Sequence, residues 1–548
     1  MPNIRKRSCI GGAAALAVVI FIDASALLAV GQTSITTYHY NNKRTGWNHK
    51  ETVLTPANVR KTTFGRLQKV TLDDQVDAQP LVVPGTVITA GNYQGTHDVV
   101  YVATENNSIY AIDVHSGTVL LSPNFGTPVS LPLGCKNNPK VGINSTPVID
   151  PSSNTLYVII YTQDPTGPAY RLHALDLGSL TDKVTPQLVT ASHTLTDGST
   201  FTFNATYQRQ RPGLLLANGS IYAGFGSFCD RPANLSRGWL LGWTAGSLVP
   251  FPSNRLNDRQ ATSPNSFFLS SIWMSGYGLA TDDAGNILFV TGNSDPSGST
   301  YDGVTNIQES VVKVSSTLTS VLDLFTPSNQ GALDQGDRDF GSGGVLVLPD
   351  QPGSTPHLAV AAGKVGTLFL MNEDNLGGYS PKKNNVLGSY AVGNCWCGES
   401  YFVDPSDGLA RVVTSGGGTV RVWKVQTSPT VALTEATIAA GLGGGQLQDP
   451  GFFTSVSSNG NAHPIIWAIS RPITQNNGAP IRLFAFSPES GNPMNTLFET
   501  TAGNWPNTNG NANLVPVVAN GLVFVASYQQ LQIFGLTGQQ SKTNTKRK

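Results

Sequence analysis

A pattern of four short strands recurs along this chain about every sixty residues, and a repeat of that length limits the fold more than any single motif does. The first copy reads Ala78-Gln79-Pro80-Leu81-Val82-Val83, then Asp98-Val99-Val100-Tyr101-Val102-Ala103-Thr104. Its third strand is Ser108-Ile109-Tyr110-Ala111-Ile112-Asp113, followed by the turn His115-Ser116-Gly117. Later copies open at Thr146-Pro147-Val148-Ile149, Pro212-Gly213-Leu214-Leu215-Leu216, Ser275-Gly276-Tyr277-Gly278-Leu279-Ala280 and Gly343-Gly344-Val345-Leu346-Val347. The last three open at Ser400-Tyr401-Phe402-Val403, Phe452-Phe453-Thr454-Ser455-Val456 and Leu514-Val515-Pro516-Val517-Val518. A four-stranded sheet cannot bury both faces alone, but eight of them packed around an axis can. The expected fold is therefore all-β, an eight-bladed β-propeller of four-stranded antiparallel blades. The eighth copy runs out of chain after its third strand. The unmatched stretch at residues 64–72 is expected to supply the outer strand of that blade, closing the ring and hiding an edge. Two stacked β-sandwiches are the alternative, and the regularity of the repeat argues against it.

Composition agrees. Of 548 residues, 58 are Gly and 34 are Pro, a mixture suited to many strands and turns. Only 12% are charged and the formal net charge is zero, so nothing steers the chain toward nucleic acid. The ends stand apart. Arg5-Lys6-Arg7, an apolar run across residues 9–22 and the small residues Ala24-Ser25-Ala26 and Ala29-Val30-Gly31 have the layout of a secretory signal peptide. The domain reading is a signal peptide at 1–31, an N-terminal extension at 32–63, the propeller at 64–538 and a basic disordered tail at 539–548. The protein is expected outside the cytoplasm, periplasmic or extracellular, with no transmembrane span once the signal is removed. Beyond Cys9, the cysteines are Cys135, Cys229, Cys395 and Cys397. Cys135–Cys229 and Cys395–Cys397 is one of three possible pairings, and free thiols are an alternative.

Tyr101-Val102-Ala103-Thr104, with Ile109-Tyr110-Ala111-Ile112-Asp113 and Ser116-Gly117, resembles the blade repeat of pyrroloquinoline quinone propellers, the quinoprotein alcohol dehydrogenase-like superfamily. Three further stretches resemble its dehydrogenases: Ser271-Ile272-Trp273 with Val290-Thr291-Gly292-Asn293; Asp337-Arg338-Asp339-Phe340; and Ala362-Gly363-Lys364-Val365-Gly366-Thr367. The resemblance implies Asn293 as a calcium ligand, Asp337 as catalytic base, with Asp339 able to exchange roles with it, and Lys364 as a quinone contact. Asp337 is also a candidate metal ligand. Trp273, Cys395 and Cys397 are candidate cofactor contacts. The chain departs from that pattern in places. The family's quinone stacks on a ring made by two adjacent cysteines, whereas Cys395-Trp396-Cys397 are separated and lie at blade six. The calcium-binding glutamate has no clear counterpart, Glu105 and Glu399 being candidates. No haem attachment motif is present.

Topology makes a case of its own. Cys135, Trp273, Asp337, Asp339 and Cys395–Cys397 precede innermost strands, while Cys229, Asn293 and Lys364 follow second strands. In a propeller both kinds of loop open on one face, so all these residues ring one mouth of the channel. Asn293, Asp337 and Asp339 offer oxygen donors to a hard cation. An ionised Asp can act as general base toward an alcohol, and Lys364 can neutralise a quinone oxygen or carboxylate. The same residue types also cap turns at strand ends. The expectation from sequence is an exported scaffold holding a protein, small-molecule or glycan ligand at its mouth. The alternative is a dehydrogenase, dependent on pyrroloquinoline quinone and calcium, that oxidises an alcohol or sugar.

Overall fold

The computed structural model describes residues 32–130, 139–194, 198, 200–228, 238–251, 270–293, 307–394, 398–442, 451–470, 479–506 and 514–538. The proposed signal, the basic tail and the four cysteines Cys135, Cys229, Cys395 and Cys397 lie outside the described residues, as does Trp396. The described residues of the unit Thr33–Lys548 form the propeller.

Blade 1 is typical. Its strands Leu81–Ile88, Gly95–Ala103, Ile109–Asp113 and Val119–Leu121 follow one another from the axis outward. Side chains alternate between the two faces of a strand, and here both faces are covered. Val99, Tyr101 and Ala103 pack against Leu156, Val158 and Ile160 of blade 2. Val100 and Val102 pack the other way, against Phe524, Leu531 and Ile533 of blade 8. This is why the second strands read as unbroken apolar runs and not as alternating ones. The core is accordingly distributed over the interfaces between neighbouring blades.

The ring closes as the sequence implies. Phe64–Thr71 pairs antiparallel with Gln530–Leu536, Phe64 opposite Leu536 and Thr71 opposite Gln530, with a bulge between Arg66 and Gln68. It forms the outer strand of the blade that contains Leu522–Ser527 and, innermost, Val517–Ala519. Blade 3 departs slightly from the pattern, because its innermost strand is two collinear pieces, Gln208–Gln210 and Leu215–Ala217, both paired with Ser220–Ser227. The one described α-helix, Gln330–Gln335, lies between blades 4 and 5.

Residues 33–51, part of the stretch set apart as an extension, line the inside of the channel and meet the blades in chain order. Ile35 exchanges backbone hydrogen bonds with Val82 of blade 1, and Thr36 accepts from Ile149 of blade 2. The Asn42 amide donates to the Leu216 carbonyl of blade 3. Carbonyls of Asn42, Lys43, Thr45 and Gly46 accept from Thr281, Val347, Tyr401 and Val456, one on each of blades 4 to 7. Trp47–Asn48 then runs parallel to the innermost strand of blade 7, and Asn48 donates to Val518 of blade 8 at 3.0 Å. One short segment thus touches the innermost strand of every blade.

Candidate functional site

The mouth over blades 4 and 5 is built by three loops. After the helix Gln330–Gln335, Asp337 takes a left-handed backbone (φ 50°). Three residues later Phe340 turns inward and packs edge-on to Phe325 and Phe369. That anchor holds Asp339 at the mouth with 3% of its surface exposed. The turn after the second strand of blade 5 brings in Lys364, whose backbone N–H donates to the Asp339 carbonyl at 3.1 Å. Gly363 permits this approach, since a Cβ there would lie 2.6 Å from Phe340 Cα. The loop after the second strand of blade 4 brings Asn293, whose N–H donates to Asp339 Oδ1 at 3.3 Å.

Lys364 Nζ lies 2.6 Å from Asp339 Oδ2 and 3.0 Å from Asp337 Oδ1. The two aspartates differ sharply. The Asp339 side chain is buried, whereas that of Asp337 is 78% exposed and joins the group through Lys364. A third acid completes the knot. Glu309, fully buried, donates its N–H to the Gly292 carbonyl and accepts the Phe340 N–H on Oε2 at 2.5 Å. Its Oε1 and Asn293 Oδ1 are buried with no hydrogen-bond partner among the described residues. Burial, with the neighbouring Asp339 charge, pushes the Glu309 carboxyl well above the usual range. Burial also raises Asp339, while the ammonium of Lys364 opposes that rise. Burial thus disfavours the charged form of Glu309, and Asp339 forms the ion pair.

Trp273 borders this knot. Its indole is half-buried and lies between Gly226 and Gly292, where added Cβ atoms would come within 2.3 and 2.8 Å of the ring. Its Nε1 donates to the Ser227 carbonyl at 3.2 Å. The same Cβ at Gly292 would lie 3.6 Å from Asp339 Cγ, so ring and carboxylate are neighbours.

A second buried polar group occupies the mouth over blades 1 to 3. Glu105 accepts Gly142 N–H at 2.7 Å and the Asn144 amide, and Asn144 Oδ1 accepts both Nε and Nη2 of Arg209 at 3.1 and 2.9 Å. Asp77 accepts from Gln75 at 2.8 Å. Burial and the charge of Asp77 push Glu105 well above its ordinary value. The Arg209 guanidinium sits 5.9 Å from the Phe228 ring centroid, and Ser227, next in the chain, holds Trp273. The two groups are thus adjacent parts of one mouth.

Trp273, Asn293, Asp339 and Lys364 come together, as their loop positions imply. Neither Glu105 nor Glu399 is the acid beside Asp339: Glu105 belongs to the blade 1 group and Glu399 to blade 6. That acid is Glu309, which heads the third strand of blade 4, a position in neither of the loop classes that topology singles out. Its one sequence signal is a carboxylate two residues before the valine-rich run Val311-Val312-Lys313-Val314.

Among solved structures the chain is similar to a quinohemoprotein alcohol dehydrogenase from Pseudomonas putida HK5, with 12% identity over 92% of this chain and 80% of that one, TM-score 0.59. It is also similar to a europium-containing methanol dehydrogenase, with 10% identity over 92% and 98% of the two chains, TM-score 0.55. At such identities the likeness establishes the shared propeller fold. No protein-family model matches the chain, and no curated protein matches it significantly.

Proposed function

We propose that the mouth over blades 4 and 5 binds a planar quinone, pyrroloquinoline quinone, together with calcium, and that the protein oxidises an alcohol or sugar there. The observation that carries this reading is the setting of Asp339. It is buried and paired to Lys364, beside two buried oxygens, Asn293 Oδ1 and Glu309 Oε1, that have no partner among the described residues. Three carboxyls, two of them buried, against one ammonium leave a negative charge that protons or a bound cation must balance. Asn293, Glu309 and Asp339 would hold calcium, which prefers several oxygen donors. Lys364 would face a quinone oxygen or carboxylate, and the fixed face of Trp273 would pack on the ring. When bound, the quinone supplies the two-electron acceptor. The chain supplies the rest. Asp339, kept ionised by Lys364, is placed to take the hydroxyl proton of an alcohol. Trp273 and its flanking glycines shield that carboxylate from water.

A scaffold that binds a protein, small molecule or glycan without chemistry is the second reading. It is favoured by the donor count: among the described residues no three His, Cys, Asp or Glu side chains converge to hold a metal. A dye-reduction assay separates the two. Protein loaded with quinone and calcium should reduce dye when given alcohols or aldoses, and Asp339→Asn should abolish the signal. Quinone binding without any dye reduction across the substrate panel would support the scaffold. Among the described residues no helix is long and apolar enough to cross a membrane. We further propose export, tested by sequencing the N-terminus of the protein recovered outside the cytoplasm, which should begin near Gln32.

A further inference from the structure

We propose that the channel-lining segment 33–51 is the positioning element of the mouth, acting through Tyr277, a positioning residue that fixes the turn presenting Trp273. Its functional meaning rests on the mouth being a ligand site; its structural content does not.

The argument starts from an improbable turn. Directly after Trp273, Met274, Ser275 and Gly276 have φ values of 48°, 42° and 77°. Side chains at the first two positions disfavour that region, so a surrounding structure must hold the turn in place. The holder is Tyr277. Its hydroxyl lies 3.1 Å from the carbonyl oxygens of both Arg44 and Glu399 and donates toward them. Its ring is flanked by Gly344 and Gly398, where a Cβ would come within 1.9 and 1.8 Å of ring atoms, so no side chain can replace either glycine without moving the ring. Tyr38 and His39 meet the ring edge-on, with centroids 5.0 and 5.1 Å away.

Three of these contacts, Tyr38, His39 and the Arg44 carbonyl, belong to the channel segment. Arg44 is itself fixed. Its guanidinium donates to the carbonyls of Leu279, Tyr38, Asn41 and Leu214 and to Thr37 Oγ1. Because the segment touches every blade, its seating sets the height of Tyr277, and Tyr277 sets the turn that carries Trp273.

The test uses the full chain labelled with 5-fluorotryptophan, without ligand. The sequence has 8 Trp, and Trp273→Phe identifies the Trp273 fluorine signal. Tyr277→Phe keeps the ring and removes the hydroxyl. The expected result is a Trp273 signal that shifts or broadens while those of Trp467 and Trp505 stay in place. A purely structural role would lower the unfolding midpoint and leave the Trp273 signal where it was; that outcome overturns the proposal. Should Tyr277→Phe not fold, amide exchange of the unaltered protein decides. The amides of Thr281, Val347, Tyr401 and Val456, all bonded to carbonyls of the segment, should exchange together and as slowly as the second strands of their blades. Fast, independent exchange would show a segment too loosely seated to position anything. Neither measurement involves quinone, so failure to bind quinone would defeat the proposed function and leave this inference standing.

Discussion

Two cations, Arg44 buried and Lys364 half-buried, define two contrasting regions of the channel. Arg44, on the axis, is wholly buried and spends its donors on four carbonyls and one hydroxyl, with no carboxylate among them. Burial lowers it only to about 10, so it stays charged at neutral pH. Lys364, at the mouth, faces two aspartates, and next to them lie one oxygen of a third carboxyl and an amide oxygen, both without partners among the described residues. Arg44 leaves none of its own donors unpaired, whereas Lys364 has acceptors in excess around it. Buried polar groups are ordinarily paired, so the first arrangement reads as architecture and the second as a place prepared for something else. Arg44 is nonetheless not separate from the mouth, because its carbonyl holds Tyr277.

The largest effect expected from this contrast is on the axis. Arg44→Met strands several buried carbonyls at once and should cost at least about 3 kcal/mol of stability, read as a large drop in denaturation midpoint or in folded yield. A midpoint near that of the unaltered protein would mean that the segment can be loosened at little cost.

Glu399 lies where the two regions meet and gives a smaller effect that depends on pH. Burial pushes its carboxyl up to about 8 from an ordinary 4.5. A raised carboxyl favours the folded state fully below its unfolded value, and that contribution is lost as pH rises through the folded value. The unaltered protein should therefore lose stability relative to Glu399→Gln between pH 4.5 and about 8, and the difference should level off above that window. Midpoints measured across this range check it; a constant difference would place the acid in a wetter setting.

The smallest effect separates the paired aspartates. Asp337→Ala removes an exposed carboxylate and should change stability by about 0.5 kcal/mol or less. A loss comparable to that from removing the buried Asp339 would erase the distinction drawn between them.

Much of this was legible in the residues. The blades could be read because each second strand is buried on both faces, so its apolar run is unbroken, and the closing strand was the one stretch without a copy. Trp273, Asn293, Asp339 and Lys364 could be placed on one mouth because loop position in a blade determines the face. Choosing between Asp337 and Asp339 was beyond the sequence, since it turns on a left-handed residue and on the inward packing of Phe340. Glu309 escaped because it heads a third strand. The channel segment escaped as well. It is short and polar and has no period, and most of what joins it to the blades is backbone carbonyls that any sequence possesses.

The measurement that bears most directly on the mouth as a cofactor site is a calorimetric titration of the purified protein with pyrroloquinoline quinone, with and without calcium. The account predicts saturable binding that depends on calcium, is lost in Asp339→Asn and survives in Asp337→Asn. No heat at high micromolar quinone, or binding unaffected by Asp339→Asn, would contradict it.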